Sequence, residues 1–239
     1  MKMKKIFFIS FILSIGLVSC GQKINLGNVV NAVLSGAPLS EQEISAGLKE
    51  ALSVGINLGA DKASATDGFF LNPAIKILLP PEVQKVESTL RNIGLGGEVD
   101  KFMLSLNRGA EQAAQEAKPI FISAIKQLTI TDAINILKGE KDAATQFLRR
   151  TTSPQLVQAF EPIMVNSLNK TNATKYYGEI AGKYNKIPFV KQINPDLKGY
   201  ATQKAIDGLF ILVAQEEAKI RENPLARTSE LLKRVFGSL

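Results

Sequence analysis

Apolar residues recur every three to four positions through most of the chain after residue 40, a spacing typical of amphipathic α-helices. The first helix is predicted from Ser40 to about Ser64, because Ser40 and Glu43 have the spacing of a capping box. The apolar face of this helix consists of Ile44, Leu48, Leu52 and Ile56.

The longest apolar stripe runs from Val99 to Leu128 and predicts a helical segment of about thirty residues. Pro119 lacks a backbone donor and clashes with the preceding turn, so we expect a kink or break near Lys118. Gly109 and the alanines after it favour a close approach to another helix.

Between these helices, residues 66–72 read as a loop with an apolar plug, because Asp67-Gly68 is a turn dipeptide and Phe69-Phe70 follows it. Residues 73–80 are bounded by prolines. They predict either one or two helical turns or an extended segment.

Proline, glycine and capping residues divide the rest of the chain into further helices. Predicted starts are Pro81, Thr131, Asp142, Ser153-Pro154, Asp196 and Asn223-Pro224, and predicted ends are about Asn92, Lys138, Arg150 and Asn169. An aromatic helical stripe is formed by Tyr176, Tyr177, Ile180 and Tyr184. Residues 209–214 are apolar on every side, which predicts the buried centre of the last long helix. Almost no strand-like alternation occurs, so we predict one all-α, multi-helix domain with about eight to ten helices, some of them kinked.

The N-terminus has a different pattern. Basic Lys2, Lys4 and Lys5 precede a mostly apolar stretch at 6–18 that is too short for a membrane span, which needs roughly 20 residues. The stretch ends in Leu-Val-Ser-Cys at Cys20. This arrangement resembles a bacterial lipoprotein signal, in which the thiol is acylated before cleavage. We therefore expect a signal peptide at 1–19, a lipidated Cys20 with a flexible tether at 20–38, and the helical domain at 39–239.

The lipoprotein resemblance implies that lipid on Cys20 attaches the protein to a membrane. Cys20 is the only cysteine, which leaves no internal disulfide and no thiolate metal site. Gly21 stands where an Asp would retain the protein in the inner membrane, so the expected location is the cell envelope, on the periplasmic face of the outer membrane.

Composition excludes several kinds of chemistry. The chain has no His, so nucleophile systems that depend on His cannot form within it, and the usual zinc sites lack both favoured ligands. We expect no metal and no cofactor. Three of the 29 basic residues lie in the signal, which leaves 26 against 22 acidic ones. This small, dispersed excess predicts no nucleic-acid partner, although it would suit a surface facing anionic headgroups.

Polar residues on otherwise apolar helices are the candidate site residues. They are Asn107 and Glu111; Lys204, Asp207, Glu216, Glu217 and Arg221; and Arg227. A paired-carboxylate mechanism would need Glu111 to meet Glu216 or Glu217, with one carboxyl protonated and the other ionised. Solvated helix faces or a buried ionic network that fixes helix packing would give the same pattern. The spacing leaves both interpretations open.

A set of short motifs resembles the DUF4197 family over about residues 40–237. The set comprises Ile77-Leu-Leu-Pro80, Ala117-Lys-Pro-Ile-Phe121, Thr131-Asp-Ala133, Asp142-Ala-Ala-Thr145, Ala201 to Phe210, Ala214-Gln-Glu-Glu217 and Pro224-Leu-Ala-Arg-Thr228. The resemblance implies an envelope lipoprotein or secreted domain of Gram-negative bacteria. The family carries no known function, so it implies no catalytic residue.

Three functional hypotheses follow. The first is an anchored, non-enzymatic helical domain that binds an envelope protein or has a structural role in the envelope. The second is an envelope hydrolase that uses paired carboxylates, and the third is a carrier with a pocket for an apolar ligand between its helices. The sequence does not specify the oligomeric state.

Overall fold

A computed structural model describes residues 38–237, except residues 93, 95, 172–176, 179, 180, 183, 184, 187, 190, 191, 193 and 195. The described residues are helical and contain no strand, as predicted. The α-helices are α1 (Glu41–Ser64), α2 (Gln84–Asn92), α3 (Gly96–Ala114), α4 (Ala117–Gln127), α5 (Ile130–Lys138), α6 (Ala143–Asn169), α7 (Leu197–Glu222) and α8 (Glu230–Gly237). Short 3-10 helices occupy Pro81–Val83 and Pro224–Ala226.

Helix α1 begins and ends where the sequence predicts. The Ser40 hydroxyl accepts from the Glu43 backbone N–H at 3.2 Å, and the Glu43 carboxylate accepts from the Ser40 N–H at 2.9 Å. These bonds lower the pKa of Glu43, the backbone bond from Ser40 contributing most, so the carboxylate stays charged beside the positive end of the helix. The helix ends at Ser64.

Helix α7 lies at the centre of the packing, against α1 on one side and α6 on another, while α3 packs on α6. Leu209, Phe210, Leu212 and Val213 are buried, as the apolar run predicts, but Ile211 within it is 40% exposed. The predicted close helix approach at Gly109 is confirmed, because a Cβ there would lie 2.7 Å from the Ser167 Cβ on α6. The buried apolar residues form one continuous cluster, to which α6 and α7 contribute many members.

The predicted break at Ser153-Pro154 is wrong, because α6 continues through it from Ala143 to Asn169. Pro154 removes one helix hydrogen bond, but the face of α6 formed by Leu148, Leu156 and Phe160 is fully buried on both sides of it. The Ser153 hydroxyl donates to the Arg149 carbonyl at 2.6 Å. Burial of a continuous face therefore outweighs the local proline signal.

Other boundaries differ by a few residues. The stripe from Val99 breaks at residues 115–116, just before the predicted kink at Lys118. Helix α5 is capped by Thr129 and not by Thr131, because the Thr129 hydroxyl accepts from the Asp132 N–H at 3.1 Å.

The C-terminal segment differs as well. Asn223 and Pro224 begin only the short 3-10 helix, and the final helix starts at Glu230. Asp196 caps α7 as predicted, accepting from the Gly199 N–H at 3.0 Å.

Some predictions lie outside the described residues. They concern the signal peptide at 1–19, Cys20 with most of its tether, and Tyr176, Ile180 and Tyr184 of the aromatic stripe. No single helix among the described residues is long and apolar enough to cross a membrane; one bent pair, Gly96–Gln127 with Ile130–Lys138 at 106°, passes that test jointly.

Candidate functional site

Asn107 on α3 holds the segment before the first 3-10 helix. Its side chain is fully buried, and its Oδ1 accepts from the Ile77 N–H at 2.8 Å while its Nδ2 donates to the Ile77 carbonyl at 3.0 Å. The Nδ2 also donates to the Met103 carbonyl at 2.8 Å. Asn107 therefore pairs with both backbone groups of Ile77, as a neighbouring strand would, in a region that has no strand to do so.

One turn further along α3, Glu111 holds the loop after α1. Its Oε1 accepts from the N–H groups of Phe69 and Phe70, both at 3.1 Å. Its Oε2 accepts from Arg108, whose other terminal nitrogen donates to Asp67 at 2.7 Å. We call these contacts of Asn107, Arg108 and Glu111 the α3 network. They fix the backbone of residues 67–77.

A second network joins α5, α6 and α7 through Glu217. Its carboxylate is 7% exposed and accepts from the N–H of Ala144 at 3.1 Å, and from the N–H and hydroxyl of Thr145, both at 2.8 Å. These two N–H groups, at the second and third positions of α6, are the donors that an N-cap side chain normally satisfies. Asp142 occupies the N-cap position without such a bond. Glu217 therefore caps α6 from another helix.

Two arginines complete this second network at helix C-termini. Arg221 donates to Glu217 at 2.9 Å and to the Ile136 carbonyl in the last turns of α5 at 2.9 Å. Arg227 donates to the carbonyls of Ile220 at 3.1 Å and Arg221 at 2.8 Å near the end of α7. The Glu217 carboxylate lies at the positive N-terminal end of α6, and the Arg221 and Arg227 guanidinium groups lie at the negative C-terminal ends of α5 and α7. Each charge is therefore stabilised by the helix dipole that it faces. We call Glu217, Arg221, Arg227 and Thr145 the α7 network.

Glu216 binds lysine side chains, whereas its neighbour Glu217 binds backbone N–H groups. It accepts from Lys219 at 2.7 Å and from Lys62 on α1, and both lysines are half exposed. Burial, the largest influence, acts to raise the pKa of Glu216, but the hydrogen bonds from Lys219 and Lys62 together lower it below its usual value. The hydrogen bond from Glu216 raises the pKa of Lys219. Glu216 therefore remains ionised and ties α7 to α1.

The remaining candidates lie near the surface of α7. Asp207 accepts from Arg149 of α6 at 2.7 Å, and the Arg149 guanidinium lies 4.5 Å from the centre of the Phe210 ring. The Lys204 nitrogen lies 5.8 Å from the centre of the Tyr200 ring. Asp207 therefore forms an ion pair with Arg149 of α6, while Lys204 contacts the Tyr200 ring.

These contacts group some of the predicted residues and separate others. Asn107 shares a network with Glu111, and Glu217 shares one with Arg221 and Arg227. Among the described residues, Glu111, Glu216 and Glu217 share no hydrogen-bond partner: Glu111 holds a loop, Glu216 pairs with lysines and Glu217 caps α6. Sequence reasoning missed the partners Asp67, Arg108, Thr145, Arg149 and Lys62. Only Asp67 had a usable signal, since Asp-Gly marked its turn.

Cavities bear on the ligand-carrier hypothesis. A cavity of about 20 Å³ lies between α1, α7 and the start of α6, beside Glu217 and Arg221. That volume holds about one water, whereas ligand pockets reach roughly 300–1,000 Å³. An open groove of about 560 Å³ runs between α4, α5 and α6 and is lined by Ile120, Phe147, Thr151 and others.

Among the described residues, no cluster of three or more His, Cys, Asp or Glu could hold a metal ion.

Comparison with known proteins gives one match. A family model described as a protein of unknown function, DUF4197, matches residues 38–237. No curated protein and no solved structure matches the chain.

Proposed function

The chain belongs to the DUF4197 family of proteins of unknown function, and from its own residues we propose that it is a lipid-anchored helical protein of the bacterial cell envelope with a binding or structural role. The non-enzymatic part of this proposal rests on the hydrogen bonds of two buried carboxylates. Glu111 and Glu217 each accept two backbone N–H groups and one guanidinium.

A carboxylate in such surroundings is a poor general acid or base. Its lone pairs are occupied, and a proton taken up from a substrate would displace a backbone donor that has no other partner. The same bonds suit a structural role, because each carboxylate joins segments that are distant in sequence. Removing either one should unfold part of the domain before it affects any chemistry.

The envelope part of the proposal rests on the sequence at 1–21. Basic Lys2, Lys4 and Lys5, an apolar stretch of signal-peptide length and Cys20 agree with one another, and Gly21 favours the outer membrane. Two or more acyl chains at Cys20 would hold the protein stably, since each buried methylene contributes about 0.8 kcal/mol. The domain would then work at the periplasmic face of that membrane.

Metabolic labelling with a clickable fatty acid tests the anchor. The wild-type chain should incorporate label and fractionate with membranes, and Cys20→Ser should do neither once its signal is removed. Ser10→Ala, a change within the apolar stretch, is the control and should behave as wild type. An unlabelled wild-type chain, or a cleaved Cys20→Ser chain that stays with membranes, would contradict the proposal.

Sorting has a separate test at the neighbouring residue. Gly21→Asp should move the labelled protein to the inner-membrane fraction of a density gradient, whereas Gly21→Ser should leave it in the outer-membrane fraction. Protease added to intact cells should not cleave it. Cleavage of the wild-type domain in intact cells would place it on the cell exterior instead.

The enzyme alternative is tested with Glu111→Gln and Glu217→Gln, which keep the side-chain shape. If a hydrolytic activity of the purified protein disappears in a variant whose circular dichroism is unchanged, the non-enzymatic proposal is overturned.

The binding role is tested by crosslinking in intact cells. An envelope protein captured by the wild-type chain should be lost or reduced with Cys20→Ser.

The open groove between α4, α5 and α6 favours a second candidate, binding of a small amphipathic ligand. Its volume of about 560 Å³ falls in the range of ligand sites, and it combines Ile120 and Phe147 with polar Thr151 and Gln155. Native mass spectrometry of the purified protein should then show a co-purified species that Phe147→Ala reduces. A mass equal to that of the bare chain would argue against this candidate.

A further inference from the structure

The loop between α1 and the first 3-10 helix has a fixed backbone, although it has no regular structure. Glu111 holds its first part and Asn107 holds Ile77. Asp67 adopts a left-handed conformation with φ of 66°, and a Cβ at Gly68 would lie 2.2 Å from the Lys62 carbonyl. Two buried polar side chains are thus committed to holding one loop in one shape.

This loop directs leucines into solvent. Leu71 is 67% exposed and Leu78 is 52% exposed. Residues 75–78 alternate, with Ile75 and Ile77 buried, so Lys76 and Leu78 lie on the same outer side. The exposure of Leu78 therefore follows from the register that Asn107 sets at Ile77, and Leu71 directly follows the Phe70 backbone N–H that Glu111 holds.

The outer side of the loop is continuous with the first turns of α7. The Lys76 nitrogen lies 4.4 Å from the centre of the Phe70 ring, next to Leu71. The Tyr200 hydroxyl donates to the Leu78 carbonyl at 3.0 Å, and Lys204 lies over the Tyr200 ring. We call this surface the leucine–lysine strip; it consists of Phe70, Leu71, Lys76, Leu78, Tyr200 and Lys204.

The lysines of the strip are positioned for an anionic partner. Neither Lys76 nor Lys204 forms an ion pair with a described carboxylate, and Lys49 and Lys126 are unpaired as well; what distinguishes Lys76 and Lys204 is that each lies over an aromatic ring. Lys204 is exposed, while Lys76 is half-buried. Leucines that project between aromatic rings and free lysines have the composition of a membrane-interface surface.

We infer that the leucine–lysine strip docks on an anionic phospholipid surface, with Leu71 and Leu78 entering the headgroup boundary and Lys76 and Lys204 contacting phosphates. This inference rests on the proposed anchor. The nineteen residues from Cys20 to Pro38 span at most about 65 Å, so an anchored domain stays within reach of the bilayer and meets it at high effective concentration. Projecting leucines suit a soft bilayer boundary, whereas a protein partner would favour a concave, packed pocket.

Site-directed spin labelling of the mature, full-length chain in vesicles tests the inference. Acylation leaves no free thiol, so Leu71→Cys or Leu78→Cys provides one labelling site. In vesicles containing phosphatidylglycerol, both nitroxides should become more accessible to oxygen and less accessible to a water-soluble nickel complex. Leu225→Cys is the control, because residue 225 is 91% exposed and follows the C-terminal end of α7, which lies roughly 33 Å from Tyr200 along the helix axis. It should remain in water.

Charge gives a second measurement. Lys76→Gln with Lys204→Gln should weaken the protection at Leu71→Cys about fivefold for each lysine removed, whereas Lys101→Gln with Lys126→Gln should leave it unchanged. Vesicles of phosphatidylcholine alone should give little protection of either leucine position. Equal protection in both kinds of vesicle would remove the role of the lysines and overturn the inference in its anionic form.

Failure of the anchor and failure of the strip give different results. If Cys20 is not acylated, the parent chain itself takes up the spin label and does not float with vesicles. If the chain is acylated and floats but positions 71 and 78 stay as aqueous as position 225, the inference is overturned. Protection that appears only in native membranes, and not in protein-free vesicles, would assign the strip to a protein partner and would equally overturn it.

Discussion

Glu217→Ala should destabilise the domain more than the same change at the neighbouring Glu216, because Glu217 is the carboxylate that caps α6. The substitution leaves the buried N–H groups of Ala144 and Thr145 without acceptors, and it leaves Arg221, only 10% exposed, without its counter-charge. An unsatisfied buried donor costs about 1–3 kcal/mol, and breaking a buried ion pair by removing one partner costs about 3–5 kcal/mol. Arg221 keeps its carbonyl partner on α5, so the effects overlap and we expect a loss of about 3–5 kcal/mol.

Urea unfolding followed by circular dichroism measures this loss. With a slope of about 2 kcal/mol/M, the midpoint should fall by roughly 2 M. Glu216→Ala is the matched control, because it is the neighbouring residue but its partners Lys62 and Lys219 are half exposed and regain water. It should cost about 1 kcal/mol or less. A Glu217→Ala loss below about 1 kcal/mol, or one equal to that of the control, would refute the assignment of Glu217 as the cap of α6.

Three further predictions concern packing, the loop and pH. Gly109→Ala should lower the free energy of unfolding by about 1–3 kcal/mol in urea titrations, because its Cβ would lie 2.7 Å from the Ser167 Cβ. In a double-mutant cycle the same change should cost less in a Ser167→Gly background than in the wild-type chain, and an equal cost in both would refute the contact. Asn107→Ala should expose the Ile77 amide to hydrogen exchange while the α6 amides stay protected; unchanged protection at Ile77 would contradict the α3 network. The stability that Glu216 contributes should be present at neutral pH and lost as the pH falls below about 4.5 through its lowered folded pKa, so the wild-type chain should lose more stability in acid than Glu216→Gln, and parallel acid profiles would count against the ion pairs.

The starts of α1 and α7 could be predicted because their capping partners lie three positions away, although the sequence pattern assigns the equally local Thr129–Asp132 cap of α5 to Thr131. The two predicted pairs are Ser40 with Glu43 and Asp196 with Gly199, and both bonds occur. The cap of α6 is different, because Glu217 is 73 residues from Ala144. Local spacing contains no information about that contact, and the residue at the local N-cap position, Asp142, makes no capping bond. The sequence therefore predicted where α6 starts, but not that Glu217 caps this start.

The internal proline of α6 is a case in which a local signal was present but long-range packing overrode it. Pro154 is a strong local signal for a helix start, and it misled because the cost of one lost hydrogen bond is smaller than the gain from a continuous buried face. For the candidate site, the pattern singled out Asn107, Glu111 and Glu217 as unusual on apolar helices. It could not supply their backbone partners, which come from a loop and from another helix.

The cap of α6 by Glu217 also sets an order of events during synthesis. The first turn of α6 acquires its acceptors only after α7 has been made, and Glu43 of α1 finds Arg234 only 191 residues later. These two contacts therefore form only after α7 and α8 have been synthesised, although α3 can already pack on α6 before then. In the proposed envelope lipoprotein, contacts that close only once α7 and α8 have been made would keep these helix ends unpaired until after export.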